Sequence, residues 1–465
     1  MEEKIFLYYT NDLHSHFDNW PKIMSYLNKQ KEVREREEQS YWLFDIGDHM
    51  DRSAPISEAL LGKGNVDLLN RAQFDFATIG NNEGITLDHQ QLTELYQDAQ
   101  FQLLCANLTS KKGKGPDWLK ATQTVQTKSG TTISVIGLTT PYTNFYNLLG
   151  WDIRSPYDTL EEFIPILKKN SDIIVLMSHL GLSEDQEIAR RFPEIDVIMG
   201  GHTHHLLKNG ENLHNTLLTA AGKHGYYVGE VYLVWDHCEK KLKQKQAFVT
   251  RVGDLDDDVE ARDTILQLDE KASGLLGKEI VDLSHPLEVD WYKETPFMQD
   301  FVSTLQKWTD ADIAFLNAGI LIEGLEKGSV TYADVHRICP HPMNPCVVTL
   351  KGKEIVEVVR GALTKAFMDL QLKGLGFRGK VLGRMVFSGL KVQTERLDNG
   401  DEHVIEVMFR GKPIDKEQTY KIATADTFTF GKLLPEITRS EEKHYYLPEL
   451  LRDLLVECLE KNYKK

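Results

Sequence analysis

At 465 residues, the chain is longer than one hydrophobic core usually organises, so two domains are expected. Its 54 Lys and Arg against 70 Asp and Glu give a formal charge of −16, which disfavours long nucleic acid as a partner while leaving small anions open, since bound metal ions overturn the local field. With 41% hydrophobic residues and no apolar run long enough to span a bilayer, the composition argues against a membrane protein.

Met1 to Tyr9 lacks the basic and apolar regions of a secretory signal, and a cytoplasmic location is expected. The five cysteines are scattered without close CxxC spacing and read as reduced and mostly structural. From the N-terminus, β-rich apolar runs at Ile5–Tyr9, Tyr41–Ile46, Phe74–Ile79, Ile133–Leu138, Ile173–Met177 and Val197–Met199 alternate with polar stretches. Helical spacing of apolar residues occupies Ile56–Asn70, Asp88–Gln97 and Thr159–Lys169. This is the pattern of a layered α/β domain. Lys29–Ser40 reads as a solvated helix end plus loop. The acidic run Asp254–Asp258 and the polar, helix-compatible segment after it mark a connector. Beyond it, Thr295–Thr309 and Lys353–Leu370 read as helices, Ile313–Leu316 as a strand, and Lys380–Val392 and Val404–Arg410 as strand-rich. The division is 1–255, a connecting helix over 256–277, and a second domain over 278–465.

Five of the apolar runs end in chemically capable residues. Ile5–Tyr9 leads into Asp12 and His14, Tyr41–Ile46 into Asp48 and His49, Phe74–Ile79 into Asn81, Asn82 and Glu83. Ile173–Met177 leads into His179, and Val197–Met199 into His202, His204 and His205. In α/β sheets, ligands bind at the carboxyl ends of strands. One Asp-x-His is ordinary turn chemistry; five such segments in the same relation to five strands point to a shared site. Carboxylates, imidazoles and an amide oxygen without thiolates suit Zn, Mn, Fe, Mg or Co. Two such ions about 3.5–4 Å apart can share a carboxylate and bridge a hydroxide that attacks a phosphoryl group. Asp48 is the natural shared carboxylate.

The series TNDLHSH, GDHMD, GNNE, SHLG and GGHTHH resembles the bacterial 5′-nucleotidase family of calcineurin-like metallophosphoesterases, and within it the YunD-like cytoplasmic branch. The resemblance spans the chain, strongly over 1–250 and loosely beyond. It implies a four-layer α/β/β/α metallophosphoesterase sandwich followed by an α+β 5′-nucleotidase-type substrate domain. It further implies one ion held by Asp12, His14, Asp48 and His204, and another by Asp48, Asn81, His179 and His202. His16, His49 and His205 flank these as outer partners, substrate contacts or solvent-facing residues.

The sequence departs from the family at two places. Relatives carry a His–Asp pair where this chain has Asn82 and Ile85, and an amide cannot transfer a proton. In the second domain, the resemblance implies substrate binding by Asn317 and Phe428, but the run from Asn317 ends in Ile322 where relatives have an arginine, and of the two phenylalanines that clamp a base only Phe428 has a counterpart. Arg384 falls near the first; it and Arg378 suit anion recognition, base stacking or surface pairing equally. The expected function is hydrolysis of small, nucleotide-like phosphoesters or phosphoanhydrides. The alternative is a metal-containing binding or sensor protein that has lost rapid catalysis.

Overall fold

The computed structural model describes residues 2–397 and 402–464. They form two compact units that meet within the helix Val259–Leu276, one ending at Ala272 and the other beginning at Ser273.

The first unit is built on two sheets. One has seven strands, in the order Lys241–Arg251, Tyr227–Asp236, Glu2–Thr10, Ser40–Asp45, Phe76–Ala77, Gln102–Leu104 and Leu119–Lys120. The other has six, in the order Glu211–Leu213, Thr216–Thr219, Val197–Gly200, Ile173–His179, Thr132–Thr139 and Thr122–Gln126. Strand periodicity sorts the side chains: Ile5, Leu7 and Tyr9 point inward and pack with Ile173, Val175, Met177, Val197 and Met199 of the opposite sheet in one buried cluster. The alternate residues of the second sheet, Ile136, Leu138, Ile174, Leu176 and Ile198, face outward onto the helices Pro156–Asn170 and Leu182–Arg191. On the outer face of the first sheet, Tyr8 meets Tyr26 of the helix Trp20–Arg36, and Arg34 of that helix lies over Phe6. The result is the four-layer α/β/β/α sandwich. Glu2–Thr10 pairs in parallel with Ser40–Asp45, and Ile173–His179 with Val197–Gly200, so the loops after these strands emerge at one edge of each sheet.

The second unit has a five-stranded sheet in the order Met385–Ser388, Ile313–Asn317, Thr419–Ala425, Pro345–Lys351 and Lys443–Tyr445, with the helix Pro296–Thr309 packed on it. Three strands, Leu390–Arg396, Glu402–Phe409 and Lys412–Pro413, form a separate small sheet. No helix among the described residues is long and apolar enough to cross a membrane, and none of the five cysteines is joined in a disulfide among the described residues.

Two expected helices are broken. Ile56–Asn70 is interrupted where Leu61 and Gly62 adopt left-handed backbone, giving Pro55–Leu60 and Lys63–Arg71. Lys353–Leu370 divides into Gly352–Ala362 and Lys365–Met368, because the Thr364 hydroxyl accepts from Phe367 N and starts a new helix.

The second unit also holds a buried acid. Asp426 is 7% exposed, its Oδ1 has no hydrogen-bond partner, and burial pushes its carboxyl up to about 7 against 3.8 for the ordinary group. The folded state therefore keeps a proton that the unfolded chain releases near pH 4, and the stabilisation present below that pH is lost as pH rises to about 7. Asp426→Asn is expected to be more stable than the wild type at pH 8 by at most about 4 kcal/mol, with a flatter dependence between pH 4 and 7. Urea unfolding of both proteins across that range checks it.

Candidate metal centre

The loops after five strands of the first unit converge on one point. Asp12, His14, Asp48, His202 and His204 all have left-handed backbone, with φ of 51°, 49°, 50°, 69° and 59°. Such angles are unfavourable for residues with a Cβ and persist where surrounding bonds fix them. Here Asp12 N donates to Gly47 O at 3.1 Å and His14 N to Asp48 O at 2.8 Å, locking the first two loops together. The third loop closes on them at Gly80, where a Cβ would stand 2.1 Å from Asp48 Oδ1 and 2.2 Å from Asp48 N, a space only glycine leaves open.

Within this frame, Asp12, His14 and His204 bring ligand atoms into one group, and Asp12, Asp48 and His179 into another, the atoms of each lying within 4.8 Å of one another. His14 Nε2 and His204 Nε2 are 3.0 Å apart, with Asp12 Oδ1 3.7 Å and 3.5 Å from them. Asp48 reaches both sides: Oδ2 is 3.8 Å from His14 Nε2 and Oδ1 is 3.4 Å from His179 Nε2. Asn81 and His202 join as a pair, Oδ1 to Nδ1 at 2.8 Å, with the His202 ring 5.3 Å from that of His179. All seven residues picked from the sequence as ligands thus lie at this centre.

The arrangement fits divalent cations. His179 donates from Nδ1 to Ile46 O at 2.7 Å, which turns the buried Nε2, left without a hydrogen-bond partner, toward Asp48 Oδ1. Burial opposes charge on Asp48, yet His179 and His14 beside it hold its carboxyl well below the usual range. Burial likewise opposes charge on His179, but Asp48 and Asp12 push it up to about 10. Carboxylates kept ionised against burial make the centre receptive to positive charge, and oxygen and imidazole donors without thiolate match borderline metals.

Outer partners fix these groups. Glu83, buried, accepts from Asp48 N at 3.1 Å, Met50 N at 2.9 Å and Gly80 N at 2.9 Å, joining the second and third loops. Asp51 Oδ2 lies 3.5 Å from His14 Nδ1. Asn82, 7% exposed, donates from its backbone to Asp48 Oδ1 and from Nδ2 to Asp48 Oδ2, both at 2.8 Å, with Nδ2 3.1 Å from His14 Nδ1.

Of the three flanking histidines, His49 is buried with its Nδ1 3.1 Å from Asn65 Nδ2, and exposed His205 lies against Thr203 Oγ1 at 2.8 Å. His16 stacks on His224, a residue the strand-end reading missed, whose ring is also 5.9 Å from His14. In the second unit, Asn317 is buried with Nδ2 donating to Leu382 O at 2.7 Å, and Phe428 is buried against Phe367. Arg384 pairs with Glu402 and lies 3.8 Å from Glu294 in the wall of a cavity of about 640 Å³, so its charge is already countered.

Comparison with known proteins gives a consistent picture. The calcineurin-like phosphoesterase profile matches residues 7–206 and the 5′-nucleotidase C-terminal domain profile residues 279–433. The chain is 42% identical over 456 residues to the uncharacterized metallophosphoesterase YunD of Bacillus subtilis, covering 98% of this chain and 99% of that protein. It is 24% identical over 379 residues to the 5′-nucleotidase of Vibrio cholerae, covering 69% of this chain and 67% of the relative. Among solved structures, that of Haemophilus influenzae NAD nucleotidase superposes with a TM-score of 0.69 at 15% identity, over 100% of this chain and 97% of the other, a likeness of fold.

Proposed function

Since the chain belongs to the 5′-nucleotidase family with a calcineurin-like metallophosphoesterase domain, we propose that it hydrolyses phosphoester or phosphoanhydride bonds in small, nucleotide-like molecules. The observation that carries this reading is the convergence of Asp12, His14, Asp48, His179 and His204, whose ligand atoms gather in two groups that share Asp12, with the buried His179 Nε2 left without a hydrogen-bond partner. Asp12, His14, Asp48 and His204 would hold one divalent ion, and Asp48, Asn81, His179 and His202 the other. Bound there, the pair supplies Lewis acidity toward the phosphoryl oxygens and lowers the pKa of the attacking water.

The chain's own residues set the rest. Asp51 orients His14, the Ile46 carbonyl fixes the tautomer of His179, and Asn82 holds both carboxylate oxygens of Asp48. With its amide turned to Asp48, Asn82 acts as a positioning residue and not as an acid. Substrate choice falls to the second unit, where Asn317 and Phe428, the residues the resemblance implies for substrate binding, are both buried, Asn317 on Leu382 O and Phe428 against Phe367.

A chain without an acid at Asn82 favours leaving groups that are stable anions. General acid catalysis is worth roughly 10²- to 10⁴-fold, a gain chiefly for alkoxide leaving groups. In a series of aryl phosphates, log(kcat/KM) is expected to fall steeply with leaving-group pKa, and phosphoanhydrides should outpace AMP. A shallow slope with rapid AMP hydrolysis contradicts the missing acid. Metal binding without turnover across mono-, di- and cyclic nucleotides and nucleotide sugars would favour the sensor alternative.

A further inference from the structure

The turn that follows the strand Thr216–Thr219 brings a sixth loop to the centre. His224 N donates to Asp12 O at 2.8 Å, so the turn is pinned to the backbone of a ligand residue, and Asn19 Nδ2 donates to His224 O at 3.1 Å. The His224 ring stacks on that of His16, centroids 3.6 Å apart and planes inclined by 23°, while it meets His14 edge to face.

Three features mark this as more than packing. His224 holds left-handed backbone, φ 59°, in a turn where Gly222 and Gly225 do the same. A glycine or asparagine would occupy that position at lower cost, so the imidazole is kept against the preference of the backbone. Neither the His16 nor the His224 side chain makes a hydrogen bond to another described residue, and no ion pair is formed by exposed Lys223 with a described carboxylate. The Lys223 ammonium nonetheless acts on both rings, opposed at His16 by Asp51 and Asp18. The stacked rings cover each other's inner faces, which leaves their N–H edges as donors beside His14, with exposed Lys223 preceding His224 in the same turn. Unspent donors of this kind suit an anionic oxygen group better than a planar base.

We propose that His16, Lys223 and His224 form a subsite for a second phosphate of the substrate, one anhydride bridge removed from the phosphorus attacked. This rests on the hydrolase reading above and names its substrate class as pyrophosphate-containing. In the reaction, water oxygen bonds to the attacked phosphorus and the bridging P–O bond breaks. Its electron pair leaves with the second phosphate, which the subsite holds, and the proton passes to solvent.

The test uses the full-length, Mn²⁺-loaded protein and the variants His16→Ala, Lys223→Ala and His224→Gly, at equal metal content. KM for pyrophosphate is expected to rise about 10-fold or more in each, the loss of one charge-assisted contact, while kcat/KM for p-nitrophenyl phosphate stays within about 3-fold. Calorimetric binding of methylenediphosphonate should weaken in parallel. The melting temperature of His224→Gly should be unchanged or higher, because glycine relieves the backbone. Equal losses on both substrates, or unchanged diphosphonate binding, would overturn the subsite. If the wild type hydrolyses no phosphate compound, the hydrolase reading fails, and diphosphonate binding alone decides the subsite: weaker in the variants supports it, unchanged refutes it.

Discussion

Replacing Asp48 with Asn should strip the protein of metal at both positions. The wild type, dialysed against excess Mn²⁺ or Zn²⁺ at neutral pH, is expected to retain about two ions per chain by elemental analysis. Asp48 is the carboxylate that reaches both sides, with Oδ2 toward His14 and Oδ1 toward His179. Its amide counterpart keeps the shape but loses the charge, and presents an N–H₂ where one oxygen stood. Loss of an outer partner alone typically costs 10- to 100-fold in metal affinity, so a change at this shared ligand should exceed about 100-fold at each position. Retention of two tightly bound ions by Asp48→Asn, or a wild type that cannot be loaded beyond one, would contradict the dinuclear assignment.

The largest effect on folding is expected at Glu83. Its carboxylate satisfies the backbone N–H groups of Asp48, Met50 and Gly80 from a fully buried position. Glu83→Ala leaves all three without their acceptor in a buried position. An unsatisfied buried polar group costs about 1–3 kcal/mol, so a total of roughly 3–5 kcal/mol is expected after partial relaxation. Because the same bonds hold the loops that carry Asp48 and Asn81, metal affinity should fall with stability. Glu83→Gln, which retains one oxygen acceptor, should recover part of both. Denaturant unfolding in chelator separates the folding cost from the metal; a loss under about 1 kcal/mol for Glu83→Ala would show that the loops are held by something else.

Much of the centre was legible because strand periodicity and ligand chemistry coincide. An apolar run that stops at Asp12, Asp48 or His179 states both where the strand ends and what is placed there. The layered architecture followed from the same alternation. His224 escaped notice although the rule applied to it, since Thr216–Thr219 is also a strand and pairs in parallel with Val197–Gly200. A single histidine among glycines and a lysine gave weaker contrast than the histidine cluster after Gly201. Glu83 was visible as part of GNNE, but its role was not, because backbone acceptance depends on how three loops fold over it. The breaks at Leu61–Gly62 and Thr364 depend on single-residue backbone angles and caps, which compete with an otherwise continuous helical pattern. In the second unit, Asn317 and Phe428 could be located by resemblance, but their burial could not.

Asp12, Asp48 and Asn81 hang from one sheet of the sandwich, and His179, His202 and His204 from the other. Neither sheet alone can set the distance between a donor of its own and one of its neighbour's. That spacing is gauged by Ile5, Leu7, Val175 and Val197, whose side chains are hydrocarbon alone and serve as the shims between the two halves. Trimming such a residue by a methylene would leave every donor in place on its own loop and yet change the aperture into which the ions must fit. The tolerance of the chemistry is therefore machined in hydrocarbon, at a depth no substrate reaches.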